Sequence, residues 1–407
     1  MVDVAAQEKK PAQIAKSNDW LKFIQANIRD YVLLIALLAI MIFFQFTTNG
    51  TLFMPVNMTN IILQNSYIVI MALGMLLIIV AGHIDLSVGS VSGFIGAMSA
   101  VLIVQMKLDP LLSAVACIGL GGLIGASQGY FVAYHKIPAF IVTLAGMLIY
   151  KGLALAVLGG ASVGPFPKEF QLLSSGYVPD LFAFSIGDKP FNLLAMLIGI
   201  AVTGLLIWGN LKERANQKKH DLAEEPEAIF WGRNLLIAAG FLGFTYLMAS
   251  YKGLPNVLIV MFALIALFMF MTTSTTFGRR VYALGGNLKA AKLSGINTER
   301  MNFWIFTIMG MLSGLAGLIF AARLNVATPK AGLGFELDVI AACFIGGAAT
   351  TGGVGKVIGA VIGAFIMGVM NNGMSIMGIG IDWQQVIKGA VLLLAVFMDN
   401  YYKQKQG

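Results

Sequence analysis

The stretch TTSTTFGRRVYALGGNLKAAKLSGINTERMN, residues 272–302, is a polar island between two apolar runs, 254–271 and 303–321. Each flanking run is long enough to cross a lipid bilayer, which takes about 20 apolar residues. The island is therefore a loop at a membrane surface, and the chain around it is a bundle of membrane helices. Within the island, Gly285, Gly286 and Asn287 read as a turn and cap, and residues 288–294 read as a short helix that runs to Ser294 and is ended by Gly295. That helix carries Leu288 and Ala291 on one side and Lys289 and Lys292 elsewhere. A short amphipathic helix at a membrane surface suits docking into a groove on a soluble partner. The plainer reading is a basic linker whose Arg279 and Arg280 only fix orientation.

Composition agrees with a membrane bundle. With 58% hydrophobic residues, 11% charged residues and a mean hydropathy of +0.83 over 407 residues, the chain is outside the range of ordinary soluble proteins. The net charge of +8 is spread over several loops, so membrane topology explains it better than a nucleic-acid partner, for which there is no signal. Cys117 and Cys343 lie in apolar runs and read as packing residues. Residues 1–30 lack the apolar core of a secretory signal and read as a cytoplasmic tail. A single membrane domain, 31–398, follows, and a second tail, 399–407, closes the chain.

Apolar runs fall at 31–47, 61–82, 88–106, 111–134, 139–160, 191–209, 235–250, 254–271, 303–321, 339–351, 357–372 and 384–398. Several are short enough to be tilted, broken or re-entrant. With the N-terminus inside, 19 of the 27 Lys and Arg residues fall on inner segments and six on outer ones. That asymmetry satisfies the positive-inside rule, with about 12 crossings, both termini cytoplasmic and the 272–302 island inside.

Small residues let helices approach where lipid gives no hydrophobic drive for association. Gly121, Gly125 and Gly129 form one such stripe, and Gly89 with Gly93, Gly310 with Gly314, and Gly359 with Gly363 repeat its spacing. They read as helix contacts. The run TTGGVGKV at 350–357 lacks the leading glycine and the final hydroxyl of a phosphate loop, so no ATP-splitting chemistry is expected in this chain. His83 and Asp85 make an incomplete metal or proton site, and Asp85 reads more simply as the N-cap of a helix beginning at Leu86. Lys151 lies midway along an apolar run and reads as a buried charge partner or a snorkelling side chain; Lys388 reads as snorkelling.

The segment GRRVYALGGNLKAAKLSGIN resembles the cytoplasmic coupling segment of bacterial ABC sugar-uptake permeases of the ribose and xylose group. IDLSVGS at 84–90, PAFIVTLAGM at 138–147 and ELDVIAACFIGGAATTGGVG at 336–355 match the same group, and the fit is best to the multiple-monosaccharide and xylose permeases. The resemblance implies an all-α permease that pairs with a second copy of itself. It also implies an ABC ATPase holding ATP and magnesium, a periplasmic protein delivering monosaccharide, and a place in the bacterial inner membrane. Against the shorter ribose-type permeases, residues 191–252 read as an extra helix pair with a charged loop at 210–233.

A sugar crossing the bundle needs hydroxyl partners. Gln64, Asn65, Gln128, Asn371 and Asn372 supply neutral amides, and Asp85 and Lys151 are charged candidates. The competing class is a stand-alone ion-coupled sugar carrier. It needs a membrane carboxylate that takes up and releases a proton, and the chain offers only Asp85, with Glu336 and Asp338 expected at a surface. An integral membrane enzyme needs clustered carboxylates or a nucleophile with its base, and neither is visible.

Overall fold

The computed structural model describes residues 19–406 apart from 183, 187, 188 and 221–225. Most of the expected N-terminal tail, and Asp221, Glu224 and Glu225 of the charged loop, lie outside the described residues. The helices are α1 Asp19–Thr47, α2 Pro55–Val80, α3 Val88–Ala100, α4 Pro110–Ala133, α5 Ala139–Val157, α6 Lys168–Gln171, α7 Leu193–Lys219, α8 Glu227–Ala249, α9 Asn256–Ser274, α10 Thr276–Gly286, α11 Leu288–Leu293, α12 Thr298–Leu324, α13 Phe335–Ile345, α14 Val357–Ile376 and α15 Ile381–Gln406. A π turn at Val101–Gln105 extends α3, and β1 Ser185–Ile186 pairs antiparallel with β2 Lys189–Pro190. Among the described residues nine helices are long and apolar enough to span a membrane: α2, α3 with its π turn, α4, α5, α7, α8, α9, α12 and α14. Two helices outrun the expected boundaries. α1 begins at Asp19, inside the expected tail, because DWLKFIQANIRD contains no Gly or Pro to stop it, and α15 continues through the other expected tail to Gln406.

α2 is the axis of the bundle. From Ile68 to Val80 it is apolar on every face, and such a stretch is stable only when surrounded; these residues are all buried. α9, α12, α13 and α14 pack around it. The outer helices turn large apolar side chains outward, as with Leu111 on α4, Leu235 on α8 and Leu393 on α15, which is the arrangement lipid requires.

Glycines set the closest approaches. A methyl at Gly121 or Gly125 would run into the α12 backbone at Gly310, and one at Gly129 would meet Phe303. Gly89 and Gly93 receive the backbone of Gly332 and Ala331, and Gly359 and Gly363 receive that of Gly346 and Ala342. These glycine pairs are seams between elements.

α13 is only 11 residues long. The apolar run that contains it breaks at Gly346, and a turn through Gly352 and Gly353 carries the chain on to α14. That turn meets α10 and the last residue of α2, which places one end of the molecule. At the opposite end the segment between α5 and α7 covers the bundle: Val163 bridges Ala327, and Asn325 Oδ1 accepts from Phe166 N at 2.8 Å. α7 and α8 form an antiparallel hairpin in which Gly199 seats Thr245, and Asn210 Nδ2 donates to Asn234 Oδ1 at 2.9 Å. Both helices run well into the 210–233 stretch that reads as a loop, so the connection is shorter than expected.

Candidate coupling face and polar cavity

The 272–302 island is mostly helical. Thr275 Oγ1 accepts from Gly278 N at 3.3 Å and caps α10, whose buried residues Gly278, Val281 and Leu284 follow at three-residue spacing while Arg279 and Arg280 stay exposed. Gly285 and Gly286 are the last turn of α10 and not a separate turn, which corrects the sequence reading. Gly285 lies against the Val80 carbonyl and the Gly353 amide, leaving no room for a Cβ. Gly353 N donates to Val80 O at 2.8 Å, and Tyr282 Oη donates to Gly355 O at 2.6 Å. Thus α10, the end of α2 and the turn before α14 form one knot.

α11 begins where the sequence indicates. Asn287 Oδ1 accepts from Ala290 N at 3.0 Å, Ser294 is the C-cap, and Gly295, at φ +80°, takes the left-handed conformation that stops the helix. Its facing differs from expectation. Ala291 is 4% exposed and packs into its own chain, whereas Leu288 is 56% and Leu293 90% exposed. The free apolar pair is therefore Leu288 and Leu293, of which the sequence reading missed the second. Lys292 Nζ lies 3.6 Å from Glu299 Oε1 and ties α11 to the start of α12.

Beside α11 opens a cavity of about 580 Å³, walled by His83, Lys136, Phe140, Lys292 and Asn302 among others. Residues from 82–84, 132–140, 288–292 and 298–302 thus meet at one face, with the 346–356 turn joined through α10. Burial pushes the His83 imidazole below its ordinary range, against the pull of a hydrogen bond with Asn302.

Next to this face Asp85 lies buried in the loop between α2 and α3. Its Oδ1 accepts from Ser87 N at 2.8 Å and from Ser87 Oγ at 2.7 Å, and Ser87 Oγ accepts from Gln128 Nε2 at 2.9 Å. The helix starts at Val88 with Ser87 in the cap position, so Asp85 is not the N-cap: its carboxylate is used two residues earlier, closing the turn. Burial pushes the Asp85 carboxyl up to about 6, against the pull of its two bonds to Ser87.

Three of the amide candidates converge elsewhere. Gln64, Asn65 and Asn371 line a cavity of about 170 Å³ with Tyr67, Arg323 and Asp338. Asn65 lies fifteen residues before Val80, roughly 22 Å up the α2 axis from the coupling face at 1.5 Å per residue. Asn65 is pressed onto Gly368 and donates to Ile61 O at 2.7 Å. Asn372 does not join them. It exchanges amide hydrogen bonds of 2.9 and 3.0 Å with Asn57, locking α14 to α2.

Charged residues in this region also depart from expectation. Lys388 does not snorkel but lies 2.8 Å from Asp338 Oδ1, and Asp338 is largely buried and not at a surface. Lys151 is exposed on α5 and not a buried partner. Arg323 and Tyr67 were not singled out from the sequence, and the signal available for Arg323 was a charge at the end of a membrane run.

Residues 57–396 match a family profile described as branched-chain amino acid transport system / permease component. The chain is 40% identical over 386 residues to the xylose transport system permease protein XylH of Haemophilus influenzae, covering 94% of this chain and 99% of the relative. It is 40% identical over 381 residues to XylH of Escherichia coli K12, covering 93% of each, and 34% identical over 379 residues to the ribose import permease protein RbsC of the same strain, covering 93% and 96%. No solved structure matches the chain. With matches of this identity across nearly the whole bundle, the chain belongs to the permease-component family of bacterial ABC uptake systems and is a transport subunit, not an enzyme.

Proposed function

We infer that the chain carries monosaccharides, xylose or several aldoses, from the periplasm to the cytoplasm as one half of a homodimer in the bacterial inner membrane. In this reading the bundle crosses about 12 times with both termini cytoplasmic. The face built by α10 and α11 is cytoplasmic, where Arg279 and Arg280 sit beside the groove of an ABC ATPase that holds ATP and magnesium. A periplasmic sugar-binding protein delivers substrate at the opposite end. The observation that carries the reading is the knot at Gly285, where α10 touches both the end of α2 and the turn before α14. Force applied to α10 by the ATPase then reaches the central helix without a flexible link. Selection among sugars lies mainly with the binding protein, so the isolated permease binds sugar weakly.

The test is to purify the protein from its native membrane and reconstitute it with an ABC ATPase and a periplasmic sugar-binding protein from the same cells. Retention of an ATPase and ATP-dependent uptake of labelled xylose are expected. Sugar uptake by the isolated chain driven by an ion gradient, or a tight and selective sugar site in it, would overturn the reading.

A further inference from the structure

The 170 Å³ cavity holds hydrogen-bonding capacity that the chain does not use. Asn371 Oδ1 is buried without a partner, and its amide nitrogen reaches only to 3.5 Å from Asp338 Oδ2. Gln64 makes no hydrogen bond among the described residues, and no carboxylate lies within ion-pair distance of Arg323 among them. Buried polar groups are normally satisfied, so the unpartnered Asn371 oxygen is an exception that asks for an explanation. Unused donors and acceptors that line one half-open cavity point to a ligand that bonds to both.

The charges narrow its chemistry. Asp338 is neutralised by Lys388 at 2.8 Å, so the walls offer a guanidinium, a carboxylate already paired, and neutral amides. An anion would meet Asp338 and a cation would meet Arg323, whereas a neutral polyol meets partners for its donors and acceptors alike. Tyr67 adds an aromatic wall, held by Phe335 and Phe320 at ring separations of 4.6 and 5.0 Å. At about 170 Å³ the cavity is of a size for a small solute.

We propose that this cavity is a weak monosaccharide subsite in which Arg323, Gln64 and Asn371 hydrogen-bond ring hydroxyls and Tyr67 lies against the carbon face of the sugar. It rests on the sugar-importer reading above, and names where in the bundle the sugar pauses.

The test uses the complete importer carrying Gln64→Cys, since the chain's own Cys117 and Cys343 are buried. A small polar thiol reagent is expected to label it, and a high concentration of xylose to slow labelling. Adding Asn371→Leu is expected to raise the xylose concentration needed for half-protection roughly tenfold, the size of one lost hydrogen bond. If Gln64→Cys fails to assemble, Asn371→Cys serves as the labelled site and Gln64→Leu as the second change. Labelling that xylose does not slow, in a complex that takes up xylose, overturns the subsite, as does equal protection with and without the second change or failure of the reagent to reach either cysteine. A wild-type complex that takes up no aldose overturns the importer reading instead.

Discussion

Lys388 Nζ lies 2.8 Å from Asp338 Oδ1, with side chains 21% and 15% exposed, and this pair ties the first turn of α13 to α15. Removing one partner of a largely desolvated pair leaves an uncompensated charge, at about 3–5 kcal/mol, whereas removing both is close to neutral. Lys388→Met is therefore expected to lower the melting temperature of the purified protein, and the double variant Asp338→Leu, Lys388→Met to recover most of that loss. A single variant as stable as wild type would show that the pair adds nothing.

The bundle was legible because each spanning helix is a long apolar run, and the glycine seams because small residues recur every four positions along α4, α3, α12 and α14. What was not legible depended on partners remote in sequence. Asp338 and Lys388 are 50 residues apart, and nothing local to either announces the other. Asn371 and Asn372 are neighbours in sequence but point about 100° apart on a helix, so one lines a cavity and the other meets Asn57. α10 was hidden because its buried row is short and starts with a glycine, and a six-residue helix such as α11 gives too few turns to tell its inner side from its outer one.

Packing at Gly125 offers a second test. A methyl there would meet the Phe306 carbonyl and lie 3.0 Å from Gly310 N, and backbone cannot move aside as a flexible side chain can. Gly119, on the same helix, has open space around it. Gly125→Leu is expected to abolish monodisperse protein on size exclusion in detergent, while Gly119→Ala behaves as wild type, helped by the better helix propensity of alanine. Equal behaviour of the two variants would contradict the α4–α12 seam.

The buried carboxyl of Asp85 predicts a pH dependence. Its proton is held up to about 6 in the folded chain against an ordinary 3.8, so below about pH 4 the group is neutral in both states. As pH rises from there to about 6 the unfolded chain loses the proton first and stability falls, levelling off above the folded value. Asp85→Asn removes that loss. The gap between its melting temperature and that of wild type is expected to shift in favour of asparagine across this window and to be flat above it. A gap independent of pH would mean that burial does not perturb the carboxyl.

The coupling face gives the last prediction, and the structure decides which residues to change. Leu288 and Leu293 present an exposed apolar surface on α11, while Ala291 is turned into the chain. A charge on the exposed pair leaves the fold intact but has to be buried unpaired when a partner's groove closes over it, at a cost on the order of several kcal/mol, a substantial part of a subunit affinity. A charge at Ala291 is buried already in the free permease and disturbs α11 itself. Leu288→Asp and Leu293→Asp are therefore expected to yield a folded permease with wild-type melting behaviour that no longer retains its ATPase or supports ATP-driven uptake. Ala291→Glu is expected to lower the melting temperature before any partner is added. Lys289→Gln changes little, because an exposed charge contributes little to such an interface. Co-purification of the ATPase, scored beside uptake in proteoliposomes supplied with binding protein, separates these cases. Full retention and uptake in both leucine variants would show that α11 is only a linker between α10 and α12.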